Sequence, residues 1–161
     1  MLPAYGRYGV YSQSDTEFAM KQELTKKQLF EALKSVSVEV SKDTSNSDMW
    51  SLKLLGEKAV ITLQVSEDEI ILKVSRGWLD YYPNMGNVYE EFCKQWNIDH
   101  PGVAAHLWYT RDGGCVPICR ITYSVPGTKR EMMRLVRNRM FGVDMQNAIC
   151  FFDEIDKYAR K

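Results

Sequence analysis

Four cysteines and two histidines are the residues of this chain that could hold a metal ion or form a nucleophile–base pair. Cys115 and Cys119 lie four residues apart, in a segment that predicts a β-strand, and His106 lies nearby in sequence. Two such cysteines share one face of a strand but lie about 13 Å apart, too far for one zinc ion with bonds of about 2.3 Å. Small buried hydrophobic residues are the simpler interpretation, so we expect no metal and no cofactor.

Cysteine catalysis is the second chemistry that these residue types allow. It needs a base within hydrogen-bond reach of the thiol. The candidate nucleophiles are Cys93 and Cys119. His100 and His106 could approach either of them only through the tertiary fold, because no local motif joins the two residue types. We therefore predict that the protein is not an enzyme, and keep a small cysteine-dependent enzyme as an alternative.

A basic cluster, Lys129 to Arg139, begins the last predicted helix. Within it Arg130, Arg134 and Arg137 recur at positions i, i+4 and i+7, which favours one helix face. Such a stripe could bind an acidic peptide, a phosphate or RNA, whereas a solvated helix face is the simpler interpretation. With 21 basic and 21 acidic residues, the charge balance disfavours nucleic acid. An RNA- or phosphate-binding regulator remains an alternative.

Aromatic residues are concentrated in the predicted loop 76–84. Trp78, Tyr81 and Tyr82 could form a recognition loop or a lid over the core. Together with the arginine stripe, these three residues are the predicted partner-binding residues. The opposite face of the last helix carries Met132 and Met140 with other apolar residues, most of which we assign to the core.

Length and composition are typical of one soluble domain. The chain has 161 residues, 45% of them hydrophobic and 26% charged. It has no apolar run of the roughly 18 residues that a membrane span needs, and its first residues lack the order of a signal peptide. We expect a cytoplasmic protein with no membrane contact. Residues 1–24 lack a clear period and predict an N-terminal arm, flexible or loosely docked, before a single α+β domain at 25–161.

Alternating and helical periods define the elements of that domain. Thr25 and Gln28 fit a capping box for a helix that ends near Ser35. Four strands then follow, at about 36–41, 49–55, 60–65 and 70–74, and their short turns predict an antiparallel meander.

The second half of the chain predicts a helix, a hairpin and a long helix. The helix starts near Asn87 and ends at Trp96-Asn97, and the hairpin strands 104–110 and 115–125 turn at Asp112-Gly113-Gly114. Pro117 places the second hairpin strand at an edge or a bulge, because proline lacks the ladder donor. Thr128 and Glu131 cap the last helix, which we expect to bend or break at Gly142.

This order of elements, with Asn97, the Asp112-Gly113 turn and the closing helix from Thr128, resembles the bacterial YbjN-like family over about residues 25–155. The resemblance implies the fold of type III secretion chaperones: an antiparallel sheet, made of a four-strand meander plus a hairpin, with three main helices. It also implies a non-enzymatic module that binds a protein or peptide segment, as an adaptor or chaperone-like protein that forms a dimer. The sheet edge, the aromatic loop or the Met-rich helix would contact the partner.

Overall fold

A six-stranded antiparallel sheet forms one layer of the molecule. The computed structural model describes residues 2–41, 47–54, 59–76 and 86–159. The first four strands form the predicted meander, and the hairpin joins it through β6, which pairs with β4. The strands are β1 (Val38–Val40), β2 (Met49–Leu54), β3 (Val60–Val65), β4 (Glu69–Ser75), β5 (Ala104–Tyr109) and β6 (Cys115–Ser124), in the spatial order β1-β2-β3-β4-β6-β5.

Helices form the second layer. They are α1 (Leu2–Ser35), α2 (Gly86–Asp99), and a long C-terminal helix made of α3 (Lys129–Arg134), a π-helical segment (Leu135–Asp144) and α4 (Met145–Ala159). Three main helices and one antiparallel sheet confirm the predicted α+β fold class. The predicted turn at 43–48 lies largely outside the described residues.

The hydrophobic core lies between these two layers. Side chains alternate along each strand, and one set, such as Leu63 and Leu72, is completely buried against the helices. The helices contribute an apolar stripe each. Fully buried examples are Leu29, Met132, Met140, Phe151 and Ile155.

Helix α1 extends further toward the N-terminus than the sequence pattern predicts. The helix runs from Leu2, so the prediction of Thr25 as an N-cap is wrong. The Thr25 hydroxyl donates instead to the carbonyl of Lys21, at 2.9 Å. A threonine inside a helix can bond the carbonyl four residues back, so this residue type alone does not mark a helix start. The division into an arm at 1–24 and a domain at 25–161 stays a prediction.

Helix α2 begins at Gly86, one residue before the predicted start at Asn87, and it holds the outer edge of the sheet. The side-chain amide of Asn97 donates to the carbonyl of Ala105 at 2.9 Å, and its oxygen accepts from the N–H of Ala105 at 2.7 Å. Asn97 therefore pairs with strand β5 much as another strand would. Edge strands expose unpaired backbone groups that favour association, and this contact satisfies two of them.

Pro117 lies within β6, which is an internal strand and not the predicted edge strand. The position of Pro117 itself has a strand partner on one side only, since it lies beyond the end of the β4 pairing. Because Ala105 directs its backbone groups toward Asn97, the pair Ala105–Cys119 does not exchange hydrogen bonds. The pair Leu107–Pro117, two residues along, has the same character. Strand β4 pairs with β6 only over residues 118–124. The missing N–H of Pro117 therefore removes no ladder hydrogen bond.

The C-terminal helix starts as predicted. The N–H of Glu131 donates to the Thr128 hydroxyl at 3.1 Å, and the Glu131 carboxylate accepts from the N–H of Gly127. The expected bend or break at Gly142 takes another form, because the chain stays helical and widens into the π-helical segment. A Cβ atom at Gly142 would lie only 3.0 Å from the carbonyl oxygen of Arg137, five residues back. Glycine thus fits the wider turn.

Candidate functional site

The cysteine thiols proposed as nucleophiles lie in the core. Cys93 and Cys119 are buried, and desolvation raises the pKa of Cys93 to about 12 and raises that of Cys119 as well. Burial therefore disfavours the thiolate, which is the nucleophilic form. Cys119 faces the helices, whereas His106 pairs with Ile118 and points to the other face of the sheet.

The second histidine has a structural contact. The ring of His100 stacks on that of Trp96, with centroids 3.7 Å apart and planes 14° from parallel. Over residues 2–41, 47–54, 59–76 and 86–159, no three His, Cys, Asp or Glu side chains are arranged so that they could hold a metal ion.

The predicted partner-binding residues divide into two groups. Trp78, Tyr81 and Tyr82 lie outside the described residues. Arg130, Arg134 and Arg137 are exposed on the outer side of the C-terminal helix. Their role in binding stays a prediction.

The π-helical segment changes how these arginines are arranged. Buried positions recur every four residues, at Met132, Val136, Met140 and Asp144, whereas an α-helix repeats every 3.6. The outermost row lies midway between them and contains Arg130, Arg134 and Asn138. Arg137 and Arg139 flank Asn138, one on each side. We call Arg130, Arg134, Arg137 and Arg139 the arginine ridge.

Three of the four methionines of this helix are not available as a binding surface, and Met133 is half-buried. Met132 and Met140 are completely buried, and Met145 is nearly so. The suggestion that a Met-rich helix face contacts the partner is therefore wrong for these residues, and their assignment to the core is confirmed.

The two edges of the sheet differ in how far they are covered. On β5, the Asn97 side chain forms hydrogen bonds with the N–H and the carbonyl of Ala105. The Tyr109 hydroxyl donates to Glu90 of α2. Beside β1, a groove of about 420 Å³ is lined by residues of both charge signs. Its lining residues are Lys34, Ser37, Val38, Glu39 and Lys53. Because Glu39 and Lys53 are directly opposite in the ladder, this groove presents no single charge to a ligand.

One face of the sheet is not covered by any described helix, and we call it the uncovered face. It carries the side chains that alternate with the core residues. Val60 is 51% exposed and Trp108 is 52% exposed. Between them Ile118 is half-buried, and Val116 is buried without belonging to the core cluster. We call these four residues the apolar strip.

The ladder places Trp108 and Val116 side by side, and it separates Ile118 from Val60 by Ser75 of β4. Trp108 is opposite Val116, and Ile118 is opposite both His106 and Ser75. Ser75 is in turn opposite Val60. The strip therefore crosses four strands, or about 14 Å at a strand spacing of about 4.8 Å.

Two cations lie next to the strip. Lys73 and Arg120 are directly opposite on neighbouring strands, with side chains on the uncovered face. Desolvation, then the charges of Arg120 and Lys73, lower the pKa of His106. Like charges directly opposite destabilise a sheet, and neither cation forms an ion pair with a described residue. This pair is costly for folding and favourable for an anionic group of a ligand.

The sequence patterns did not predict a functional role for the uncovered face. Strand alternation was visible, but nothing local states which alternate set faces the helices. The signal that could have found it is the pattern in β4 and β6, where Lys73 and Arg120 each interrupt a run of apolar residues.

These elements define a class of protein: an α+β fold in which helices cover one face of an antiparallel sheet, while no described helix covers the other. The structure of YbjN from E. coli, a proposed transcription regulator, has this fold, with a TM-score of 0.54 over 73% of this chain and 84% of that one, at 12% identity. The YbjN-like fold predicted from the sequence is therefore confirmed, and the arrangement is consistent with a type III secretion chaperone-like sheet and helices. Neither the protein-family models nor the curated proteins give a match to the sequence.

Length and apolarity exclude every described helix as a membrane-spanning segment.

Proposed function

We propose that the protein is a non-enzymatic module that binds a segment of another protein on its uncovered sheet face, as an adaptor or chaperone-like protein would. The observation that carries this proposal is the apolar strip beside the Lys73–Arg120 pair. Trp108 and Val60, each about half exposed, supply apolar contact area at the surface. The two opposed cations supply a place for a carboxylate.

The ligand that fits is an amphipathic segment. Its apolar side chains would cover Trp108 and Val60, and an acidic side chain would lie over Lys73 and Arg120. An aromatic residue such as Trp108 commonly contributes a large share of the binding energy at such a surface. A second copy of the chain is another occupant that would satisfy the same chemistry, in line with the predicted homodimer.

Site-specific photo-crosslinking tests the proposal. A photoreactive amino acid replaces Ala104, which is exposed on the uncovered face beside Arg120. The matched control replaces Ile98, which is 73% exposed on α2. We expect a protein adduct from position 104 in cells that express the chain, and none from position 98. Mass spectrometry of the adduct distinguishes a different protein from a second copy.

Two substitutions then test which residues hold the partner. Trp108→Ala and Lys73→Glu should each abolish most of the adduct at position 104, because they remove the apolar and the cationic contact. Ile98→Ser, which removes an equally exposed apolar side chain elsewhere, should leave it unchanged. Equal adducts from positions 104 and 98, or adducts insensitive to both substitutions, would show that this face is not the binding surface.

A further inference from the structure

The arginine ridge is a concentration of unpaired charge. The segment 129–144 contains five cationic residues and two carboxylates. Lys129 pairs with Glu31 at 3.1 Å. The four arginines of the ridge are exposed, and within the described part of the chain none of them forms an ion pair.

Both carboxylates of the segment are already used. Glu131 accepts from the N–H of Gly127 at the start of α3. Asp144 is buried and accepts from the Tyr123 hydroxyl at 2.6 Å. Neither forms an ion pair with an arginine of the ridge in the described part of the chain. The local excess of charge therefore persists although the whole chain has a net charge of zero.

We propose that the arginine ridge is a docking surface for an Asp- and Glu-rich segment of a partner protein. Guanidinium groups bind carboxylates through two parallel hydrogen bonds, which lysine cannot match. The π-helical segment sets the shape, since Arg137 and Arg139 flank the row of Arg130 and Arg134 and give a broad cationic surface. The proposal deepens the protein-binding function and relies on it for the class of partner.

Two observations favour an acidic protein segment over nucleic acid. Proteins that bind single strands place aromatic side chains among their cations to stack the bases. In 129–144 the single aromatic residue, Phe141, is half-buried, and no exposed residue is aromatic. The chain as a whole also lacks the positive charge that is typical of nucleic-acid binding.

Fluorescence anisotropy with two labelled probes tests this proposal on the purified full chain. The probes are an oligoglutamate peptide and an oligouridylate RNA of equal length. We expect the peptide to bind, and its affinity to fall as salt rises from about 50 to about 200 mM, because the contacts are exposed ion pairs. Tighter binding of the RNA than of the peptide would overturn the proposal in favour of nucleic acid.

Charge reversal locates the site. Arg130→Glu combined with Arg134→Glu should weaken peptide binding by at least about tenfold, or about 1.4 kcal/mol. The neutral pair Arg130→Gln with Arg134→Gln should fall between this variant and the wild type. Lys27→Glu with Lys94→Glu is the matched control, because both lysines are exposed and lie outside the ridge. Equal losses in the two reversed pairs would show an effect of net charge alone and overturn the proposal.

The experiments test the arginine ridge and the uncovered face independently of each other. The Trp108→Ala variant should keep its affinity for the oligoglutamate peptide, since that side chain lies on the uncovered face. If the peptide binds through the ridge while position 104 gives no adduct, the ridge stands and the proposed sheet surface falls. If adducts form at 104 but the peptide does not bind, the ridge proposal falls.

Discussion

The two faces of the six-stranded sheet have the same alternating pattern but different surroundings. On the face against the helices, the buried Asp144 carboxylate has a donor from the sheet, because the Tyr123 hydroxyl donates to it at 2.6 Å. On the uncovered face, Lys73 and Arg120 are opposed without a carboxylate between them in the described structure. This difference is what the proposed function expects, with the first face contributing stability and the second face free to differ in its chemistry.

Truncation of a core aromatic residue should show the largest effect. Phe151 is completely buried and packs against Trp96 and Phe152, with ring centroids 5.3 and 5.2 Å away. Phe151→Ala should lower the free energy of unfolding by about 3–5 kcal/mol, through lost burial and the cavity left behind. Urea denaturation measures the change.

The matched substitution on the uncovered face is Trp108→Ala. Because Trp108 is 52% exposed, we expect a smaller loss, of about 1–2 kcal/mol, from the part of the side chain that is buried. Similar losses for Phe151→Ala and Trp108→Ala would contradict the contrast between the faces, since Trp108 would then be a structural residue.

The buried hydrogen bond on the covered face should give the next largest effect. Tyr123→Phe leaves the buried Asp144 carboxylate without the donor that it contacts. An unsatisfied buried group of this kind costs about 1–3 kcal/mol, more when it is charged. The control is Tyr109→Phe, which removes the exposed hydroxyl that donates to Glu90. Thermal and urea denaturation should separate the two variants, and equal stability of both would show that Asp144 finds another partner.

Alkaline pH should lower the free energy of unfolding, because Cys93 is buried between the sheet and the helices. Desolvation raises the pKa of Cys93 from an ordinary value of 9.0 to about 12 in the folded chain. Between these two values the folded state binds more protons than the unfolded state, so stability falls as pH rises. One such group contributes a slope of at most about 1.4 kcal/mol per pH unit.

Urea denaturation at a series of pH values from about pH 8 upward, about one unit apart, measures that slope. Cys93→Ala should flatten the decline above pH 9, whereas Cys150→Ala should change it less because Cys150 is exposed. An identical slope in the wild type and the Cys93→Ala variant would mean that the thiol reaches solvent before global unfolding.

Local patterns predicted most elements of the fold, because each depends on neighbours in sequence. Thr128 and Glu131 form the cap that their spacing predicts, and the meander follows from strand alternation and short turns. The π-helical segment was not predictable, because the four-residue spacing of Met132, Val136 and Met140 also suits an α-helix. The burial of Asp144 against Tyr123, which continues this spacing, depends on a contact with a distant strand.

The uncovered face could not be predicted for a related reason. The opposition of Lys73 and Arg120 depends on the register of β4 with β6, which are separated in sequence by α2 and β5. A shift of one residue would place the two side chains on the opposite face. Sequence patterns therefore identified the strands but not the surface that they form together.

The smallest predicted effect concerns the charge on the uncovered face. Desolvation and the charges of Arg120 and Lys73 lower the pKa of His106 below its ordinary value of 6.5. Because the folded chain then binds fewer protons than the unfolded chain, His106 reduces stability as pH falls through this range. Arg120→Gln removes the larger of the two charge effects and should raise the pKa of His106 toward 6.5.

An NMR titration of the His106 ring measures this pKa directly. Lys73→Gln should produce a smaller rise than Arg120→Gln, in keeping with the order of the two contributions. Lys94→Gln, on the exposed side of α2, should produce none. A His106 pKa that is unchanged in the Arg120→Gln variant would mean that solvent screens the cation pair. In that case a partner's carboxylate would gain little at this position, and the apolar strip alone would account for binding on the uncovered face.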